Sequence, residues 1–419
     1  MTTTPTTRTD GVLSYPAARA TGCPLDPAPA LADLQRHGRL TRVRLSDGQT
    51  PWLVTRYDDQ RTLLADSRMS SEAGRPGYPS PAATQEAAQQ EAGQDGDGQQ
   101  GSKISFILMD DPEHARLRRM VTAPFMVKRV RAMRPRIQQL VDELIDRMLA
   151  GPRPVDLVQA FALPLPSLVI CELLGVPYDD HDFFQENSRT IVTISDDRTA
   201  GRTAMGNLTR YLSDLLTTKM EQPGDDLLSG LVERIRAGEL TVDEAAQMGM
   251  LLLLAGHETT ANMIALGTLA LLQHPDQLAL LRDSGDPQIA ISATEELLRY
   301  LHITHNGRRR VATADIEFAG EIIRAGDGVI FPGEIGNRDP EAFERPDDLD
   351  LTRDARRHVA FGFGVHQCLG QPLARAELQI VYSTLYRRIP GLALAADPAT
   401  LDFKHDAAVY GVRALPVTW

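Results

Sequence analysis

The sequence predicts a mainly α-helical chain with a small β-rich side, and three observations carry that reading. Met248 to Leu272 is the most hydrophobic run, yet His257, Glu258 and Asn262 interrupt it. A membrane helix needs about 20 apolar residues free of charge, so the run reads as a buried central helix with a polar break. Helical patterning also covers Ile137 to Met148, Val155 to Leu174 and, as two helices, Asp180 to Met220. On the β side, Leu40 to Leu45 and Trp52 to Thr55 alternate about the turn Ser46-Asp47-Gly48, which predicts a hairpin. Arg310 to Asp315, Ile316 to Phe318 and Ile322 to Ile330 add short strands.

Composition bounds the rest. A chain of 419 residues with 42% hydrophobic content can bury a large core. Length alone suggests two or three domains, but the body of the chain shows no linker, so one domain over 23–419 is expected. The Thr- and Pro-rich start reads as a disordered terminus over 1–22, with no apolar core for a signal peptide or anchor. A net charge of −12 argues against generic nucleic-acid binding, and 3 scattered cysteines argue against a disulfide framework. A soluble, cytoplasmic monomer is expected.

In chain order, Asp58 to Ala65 follows the hairpin as a helix. Residues 74–100, rich in Gln, Ala, Gly, Pro and Ser, cannot pack a core and read as a mobile loop. Asp110-Asp-Pro-Glu opens the next helix with acids in its first turn, and His114 and Arg118 share one of its faces. From Arg116 to Arg136 the charges are all basic, a local reversal of sign on an acidic protein. Cys171 falls on an apolar stripe and reads as core. Glu296 and Arg299 are spaced to pair on one helix.

The chemistry concentrates in Phe361-Gly-Phe-Gly-Val-His-Gln-Cys-Leu-Gly370. Glycines at 362, 364 and 370 free the backbone to fold tightly, so that amide N–H groups can face the sulfur of Cys368. Gln371-Pro372 then begins a helix whose positive end would lower the thiol pKa. Such a sulfur suits a nucleophile, a zinc ligand, a redox cysteine or an axial haem ligand. Cys23 and Cys171 are too distant in sequence for a Cys-rich zinc site or a dithiol. His366 could serve a nucleophile as base, but the loop matches no protease signature.

At every fixed position, through Phe361, Gly364, His366, Cys368 and Gly370, this loop resembles the haem-binding loop of the cytochrome P450 family. Ala255-Gly-His-Glu-Thr-Thr260 resembles the family's oxygen-activation motif, and Glu296-Leu-Leu-Arg299 its Glu-x-x-Arg pair. The resemblance implies the P450 fold, a triangular helical body holding haem b between the central long helix and the cysteine loop. Cys368 would be the iron ligand, with Ala255, Phe361, Gly362 and Gly370 against the cofactor. His114, Arg118, Arg310 and His358 would serve its propionates, and His366 would also bind the cofactor. Glu258 and Thr259 would direct protons during oxygen activation. Relatives often complete the Glu-x-x-Arg network with a further arginine; the aligned position here is Asp348, leaving Arg345 or Arg353 as substitutes.

For the substrate, the resemblance places the 74–100 loop over the pocket as a lid, with Ile104, Phe106, Ile107, Ile303, Thr304, His305, Asn306 and Tyr410 as candidate lining residues. It further implies O2 and a hydrophobic small molecule such as a macrolide, polyketide or other natural product, hydroxylated with electrons from ferredoxin and ferredoxin reductase. The basic run would dock that ferredoxin. A peroxide-driven oxidase, or a non-catalytic haem sensor or carrier, would share Cys368 but would not need Glu258 and Thr259.

Overall fold

The protein's structure, a computed structural model, describes residues 8–9, 12–20, 22–80, 105–192, 198–304, 306–405, 407 and 409–419. Ile104, His305 and residues 81–100 of the expected lid lie outside them. The first part is mixed: β1 (Arg8–Thr9), β2 (Val12–Ser14), α1 (Pro29–His37), β3 (Leu40–Arg44), β4 (Trp52–Val54), α2 (Tyr57–Leu64) and β5 (Met69–Ser70). Helices then dominate: α3 (Glu113–Thr122), α4 (Val127–Ala150), a short β6 (Val155–Asp156), α5 (Pro164–Leu174), α6 (His181–Val192), α7 (Arg198–Glu221) and α8 (Leu227–Arg236). The long α9 (Val242–Gln273) leads into α10 (Pro275–Asp283) and α11 (Pro287–Tyr300). Strands β7 (Arg308–Ala312), β8 (Ile316–Phe318), β9 (Glu321–Ile323) and β10 (Gly328–Phe331) precede α12 (Gly333–Gly336), α13 (Gln371–Arg388), β11 (Ala393–Leu394) and β12 (Pro416–Thr418).

Helix α9 spans 32 residues and starts with a capping box, in which Thr241 accepts from the Glu244 backbone and Glu244 reaches back to the Thr241 N–H. Apolar almost all round, it can only be interior, and it packs against α5, α7 and α13. Helix α13 in turn crosses α4 and α11, so the helix that follows Cys368 is bolted into the same core. The larger sheet orders its strands β1-β2-β3-β4-β10-β7-β5. The expected hairpin is its β3–β4 pair, with Leu40 opposite Val54 and Gly48 turning at φ +87°.

Three expectations change. The terminus read as disordered carries β2, which runs parallel to β3 with Leu13 opposite Val43. Leu13, Tyr15 and Ala17 are buried in a cluster with Leu31, Val43 and Ile330. A few apolar residues suffice to dock this strand, each large one contributing about 1.5–3 kcal/mol, and the surrounding Thr and Pro hide them. The later part of the basic run, Lys128 to Arg136, joins the helix expected from Ile137 in one helix, α4, with Pro135 inside it, while Arg116, Arg118 and Arg119 sit on α3. The stretch from Val155 opens with β6 and a π-turn at Val158–Ala162, so α5 begins only at Pro164, where proline at the first turn is tolerated. Cys171 is buried on α5, as its apolar stripe predicts.

Candidate active site

The cysteine loop is closed by its own backbone, with the Cys368 N–H donating to Phe361 O at 2.8 Å and Gln367 N–H to Gly364 O at 3.0 Å. Gly362 and Gly364 both sit at φ +75°. A Cβ on Gly362 would lie 2.9 Å from Arg308 Nε, and one on Gly364 would collide with Leu64 O, so the conformation and the space both demand glycine. Gly370 and Gln371 point their N–H groups at the sulfur. The expected depressed thiol is not found: burial pushes Cys368 up, outweighing those N–H groups and the nearby Arg308 and Arg118. A cation seated on the sulfur would invert that balance. Cys368 is exposed, as is Ala255 midway along α9, although Leu253 and His257 either side of it are buried, so both leave room for a bound group.

Around the sulfur the structure gathers nitrogen. His114 is buried, its Nδ1 2.9 Å from Asp111 Oδ1 and its Nε2 without a hydrogen-bond partner. Its ring lies 4.1 Å from that of His366, which burial and the charge of Arg310 push down to about 3. Arg118 donates to Gln367 O at 2.6 Å. Arg308 and Arg310 alternate on β7, so they share a face. Arg308 donates to Ala360 O at 2.6 Å, and burial holds its guanidinium down at about 10. An orphaned imidazole nitrogen, several desolvated guanidinium groups and an accessible sulfur fit a flat dianionic group with a metal at its centre. Arg308 was not singled out from the sequence; its spacing from Arg310 on one strand was the available signal.

His358 does not join this set. Its Nε2 is 3.2 Å from Glu295 Oε2 and its Nδ1 accepts from Ala360 N–H at 3.1 Å. Arg375 clamps the same Glu295 carboxylate at 2.7 and 3.0 Å, so His358 belongs to a buried network under the loop. Phe361 stays by the loop, with Arg375 stacked 4.6 Å over its ring.

On α9, Thr259 Oγ1 donates to Ala255 O at 2.7 Å, a local bond that satisfies the hydroxyl proton within the helix. Asn262 Nδ2 donates to Glu258 O at 2.9 Å. The Glu258 carboxylate meets Lys404 Nζ at 3.2 Å, a partner that lies far along the chain and went unnoticed in the sequence. His257 is buried against Leu163 O at 3.1 Å, turned into the core.

The candidate lining residues divide. Ile107 is exposed on a turn whose Phe106 is buried beside His114, ring centroids 6.5 Å apart. Ile303 O accepts from Tyr410 N–H at 2.8 Å, and Thr304 bridges Val409. Asn306 keeps a buried Oδ1 without a hydrogen-bond partner. Tyr410 is not available to line a pocket: it is 1% exposed, donates its hydroxyl to Pro24 O at 2.9 Å, and lies beneath Arg19. Glu296 and Arg299 form the expected pair, fully buried and bidentate at 2.7 and 2.8 Å. Arg353 supplies the third member, its Nε 3.2 Å from Glu296 Oε1.

Comparison with known proteins converges on one family. A family model described as Cytochrome P450 matches residues 291–389, the stretch holding Glu296, Arg299, Arg353 and the Cys368 loop. Cytochrome P450 GfsF of Streptomyces halstedii is 53% identical over 407 residues, covering 97% of this chain and 96% of that protein. The crystal structure of GfsF matches with a TM-score of 0.91 at 52% identity, covering 97% of this chain and 100% of that one. The mycinamicin VIII C21 methyl hydroxylase of Micromonospora griseorubida, solved with mycinamicin VIII bound, matches at 0.84 with 41% identity, covering 97% and 100%. Similarity along nearly the whole length, together with a glycine-built cysteine loop set among cationic side chains, makes this chain a member of the cytochrome P450 family, the haem-iron monooxygenases.

Proposed function

We propose that this monooxygenase holds haem b between α9 and the Cys368 loop, takes electrons from an acidic ferredoxin and its reductase, and hydroxylates a hydrophobic natural product of the macrolide or polyketide class. The observation that carries the reading is the exposed Cys368, with Arg118 and Arg308 acting on its sulfur and with His114 and Arg310 beside His366 of the same loop. Bound through that sulfur, haem iron supplies oxygen activation. Arg118, Arg308 and Arg310, with the unpartnered His114 Nε2, would hold its carboxylates. Gly370 and Gln371 N–H groups moderate the sulfur's charge. Glu258 and Thr259 pass protons toward the cofactor, with the Thr259 hydroxyl oriented by Ala255 O.

The macrolide proposal draws on the mycinamicin hydroxylase named above. For the partner, Arg119, Lys128 and Arg131 are exposed, as are the apolar side chains of Met126, Val127 and Val365, and Val365 belongs to the cysteine loop itself. Exposed cations together with exposed apolar side chains suit an acidic partner. No helix among the described residues is long and apolar enough to cross a membrane.

The deciding experiment is the dithionite-reduced difference spectrum with and without carbon monoxide, followed by titration with a panel of macrolides. A strongly red-shifted Soret band, and a spin-state change with at least one macrolide, are expected. A band at the ordinary histidine-haem position, or no haem in protein expressed with ample haem, overturns the cofactor reading. A panel that leaves the spectrum untouched overturns the macrolide reading.

A further inference from the structure

Residues 401–405 and 409–412 lie against each other before β12. Phe403 bridges Val412, Lys404 N–H donates to Gly411 O at 2.9 Å, and the rings of Phe403 and Tyr410 stack 5.8 Å apart. Tyr410 fastens the outer side of this hairpin, through its N–H to Ile303 O and its hydroxyl to Pro24 O. The inner side faces α9 so closely that a side chain on Gly411 would collide with Asn262 Oδ1. From this anchored backbone the Lys404 side chain, 9% exposed, reaches Glu258 Oε1. Its Nζ also meets Asn262 Oδ1 at 3.2 Å. Because the Asn262 Nδ2 is committed to Glu258 O, its oxygen is the atom left for the ammonium. The three side chains therefore have one mutually consistent arrangement.

A buried lysine is uncommon unless paired, and desolvating an ammonium and a carboxylate costs several kcal/mol before their attraction offsets it. The hairpin does not require this charge, since backbone bonds and the aromatic stack already hold it. The feature that the ammonium does specify is where the Glu258 carboxylate sits, next in sequence to Thr259.

We propose that Lys404 is a positioning residue for Glu258: it docks the carboxylate against the hairpin, so that protons leave for Thr259 from one fixed conformation. The inference rests on the reading of Glu258 and Thr259 as the proton relay. Its test uses the haem-loaded enzyme as wild type, Glu258→Gln, Lys404→Met, the double variant and Lys404→Arg. Two readouts need no known substrate. One is the infrared C–O stretch of the reduced carbon monoxide complex. The other is hydrogen peroxide released per O2 consumed, with NADPH, a plant-type ferredoxin and its reductase.

Lys404→Met should shift or broaden the C–O band and raise the peroxide fraction at least about twofold, the low end of coupling between contacting residues. It should change neither readout once Glu258 is Gln, and Lys404→Arg should restore most of both. Equal effects in the two backgrounds, or no effect in the wild-type background, overturn the proposal and leave Lys404 a packing residue. If Glu258→Gln alone alters neither readout, the relay reading itself fails, a distinguishable result. Should Lys404→Met not retain haem, Lys404→Gln carries the same comparison.

Discussion

Cys368 is not made a thiolate by its protein surroundings. Burial pushes the thiol up harder than two N–H groups and two arginines pull it down, so under the proposed haem ligation the iron's charge would be what keeps the sulfur ionised. On that proposal the cationic side chains near the loop would bind the cofactor. Replacing Arg308 with Gln removes a buried charge that donates to Ala360 O, and the variant should lose haem faster than wild type in a transfer assay to apomyoglobin. Retention equal to wild type would place Arg308 with the structural groups. Thr259→Ala deletes the hydroxyl bonded to Ala255 O at no cost in helix propensity. Product formed per NADPH should fall roughly tenfold or more while the spectral response to substrate is kept; unchanged coupling would refute the relay.

Single elements carry the next set of consequences. On α11, Glu296 and Arg299 are fully buried and their pairing is shared with Arg353. Arg299→Ala strands a buried carboxylate and should destabilise the fold by about 3–5 kcal/mol, read by urea titration. Arg353→Ala, with Arg299 still in place, should cost visibly less. On α13, Glu377 lies buried with Oε2 unpartnered, and burial pushes its carboxyl from 4.5 to about 8. The folded state therefore keeps a proton that the unfolded chain releases, and this residue's contribution makes stability fall as pH rises from about 4.5 to about 8. Glu377→Gln should flatten that part of the pH–stability curve, and an unaltered slope would show the group to be paired. On the face shared by α4 and the cysteine loop, Lys128→Glu with Arg131→Glu should slow reduction by ferredoxin and weaken its salt dependence, leaving dithionite reduction intact.

Across the whole molecule, both chain ends are tied to the site from outside. Tyr15 N–H donates to Arg44 O at 2.8 Å, and Arg19 stacks 4.1 Å over Tyr410, the residue that anchors the hairpin bearing Lys404. Removing residues 1–20 would strip β2 from the sheet and uncover that ring. The truncated enzyme should lose several degrees of thermal midpoint and show a higher peroxide fraction. A midpoint equal to full length would mean that the N-terminal strand is merely laid on the surface.

The features legible in the chain were those whose meaning is local. Glycines at 362 and 364 announce a turn that no other residue could make, His114 and Arg118 share a face because a helix repeats, and Glu296 reaches Arg299 within one turn. Hydrophobicity along Met248 to Leu272, interrupted only by the polar break around His257, Glu258 and Asn262, says interior wherever the helix lies. What the chain did not disclose at the site was mostly partnership across long separations. His358 sits three residues before Phe361 as a propionate ligand would, yet Glu295 takes it. Tyr410 sits near the hairpin's tip, yet Pro24 and Arg19 cover it. The sequence leaves the third place in the buried network open between Arg345 and Arg353, and the fold gives it to Arg353; Lys404 finds Glu258 only because α9 and the last hairpin are pressed together. Spacing along a chain fixes which side chains share a turn or a face, whereas packing decides which distant donor reaches a buried acceptor first. That competition is settled by desolvation and geometry, neither of which is written in any one segment.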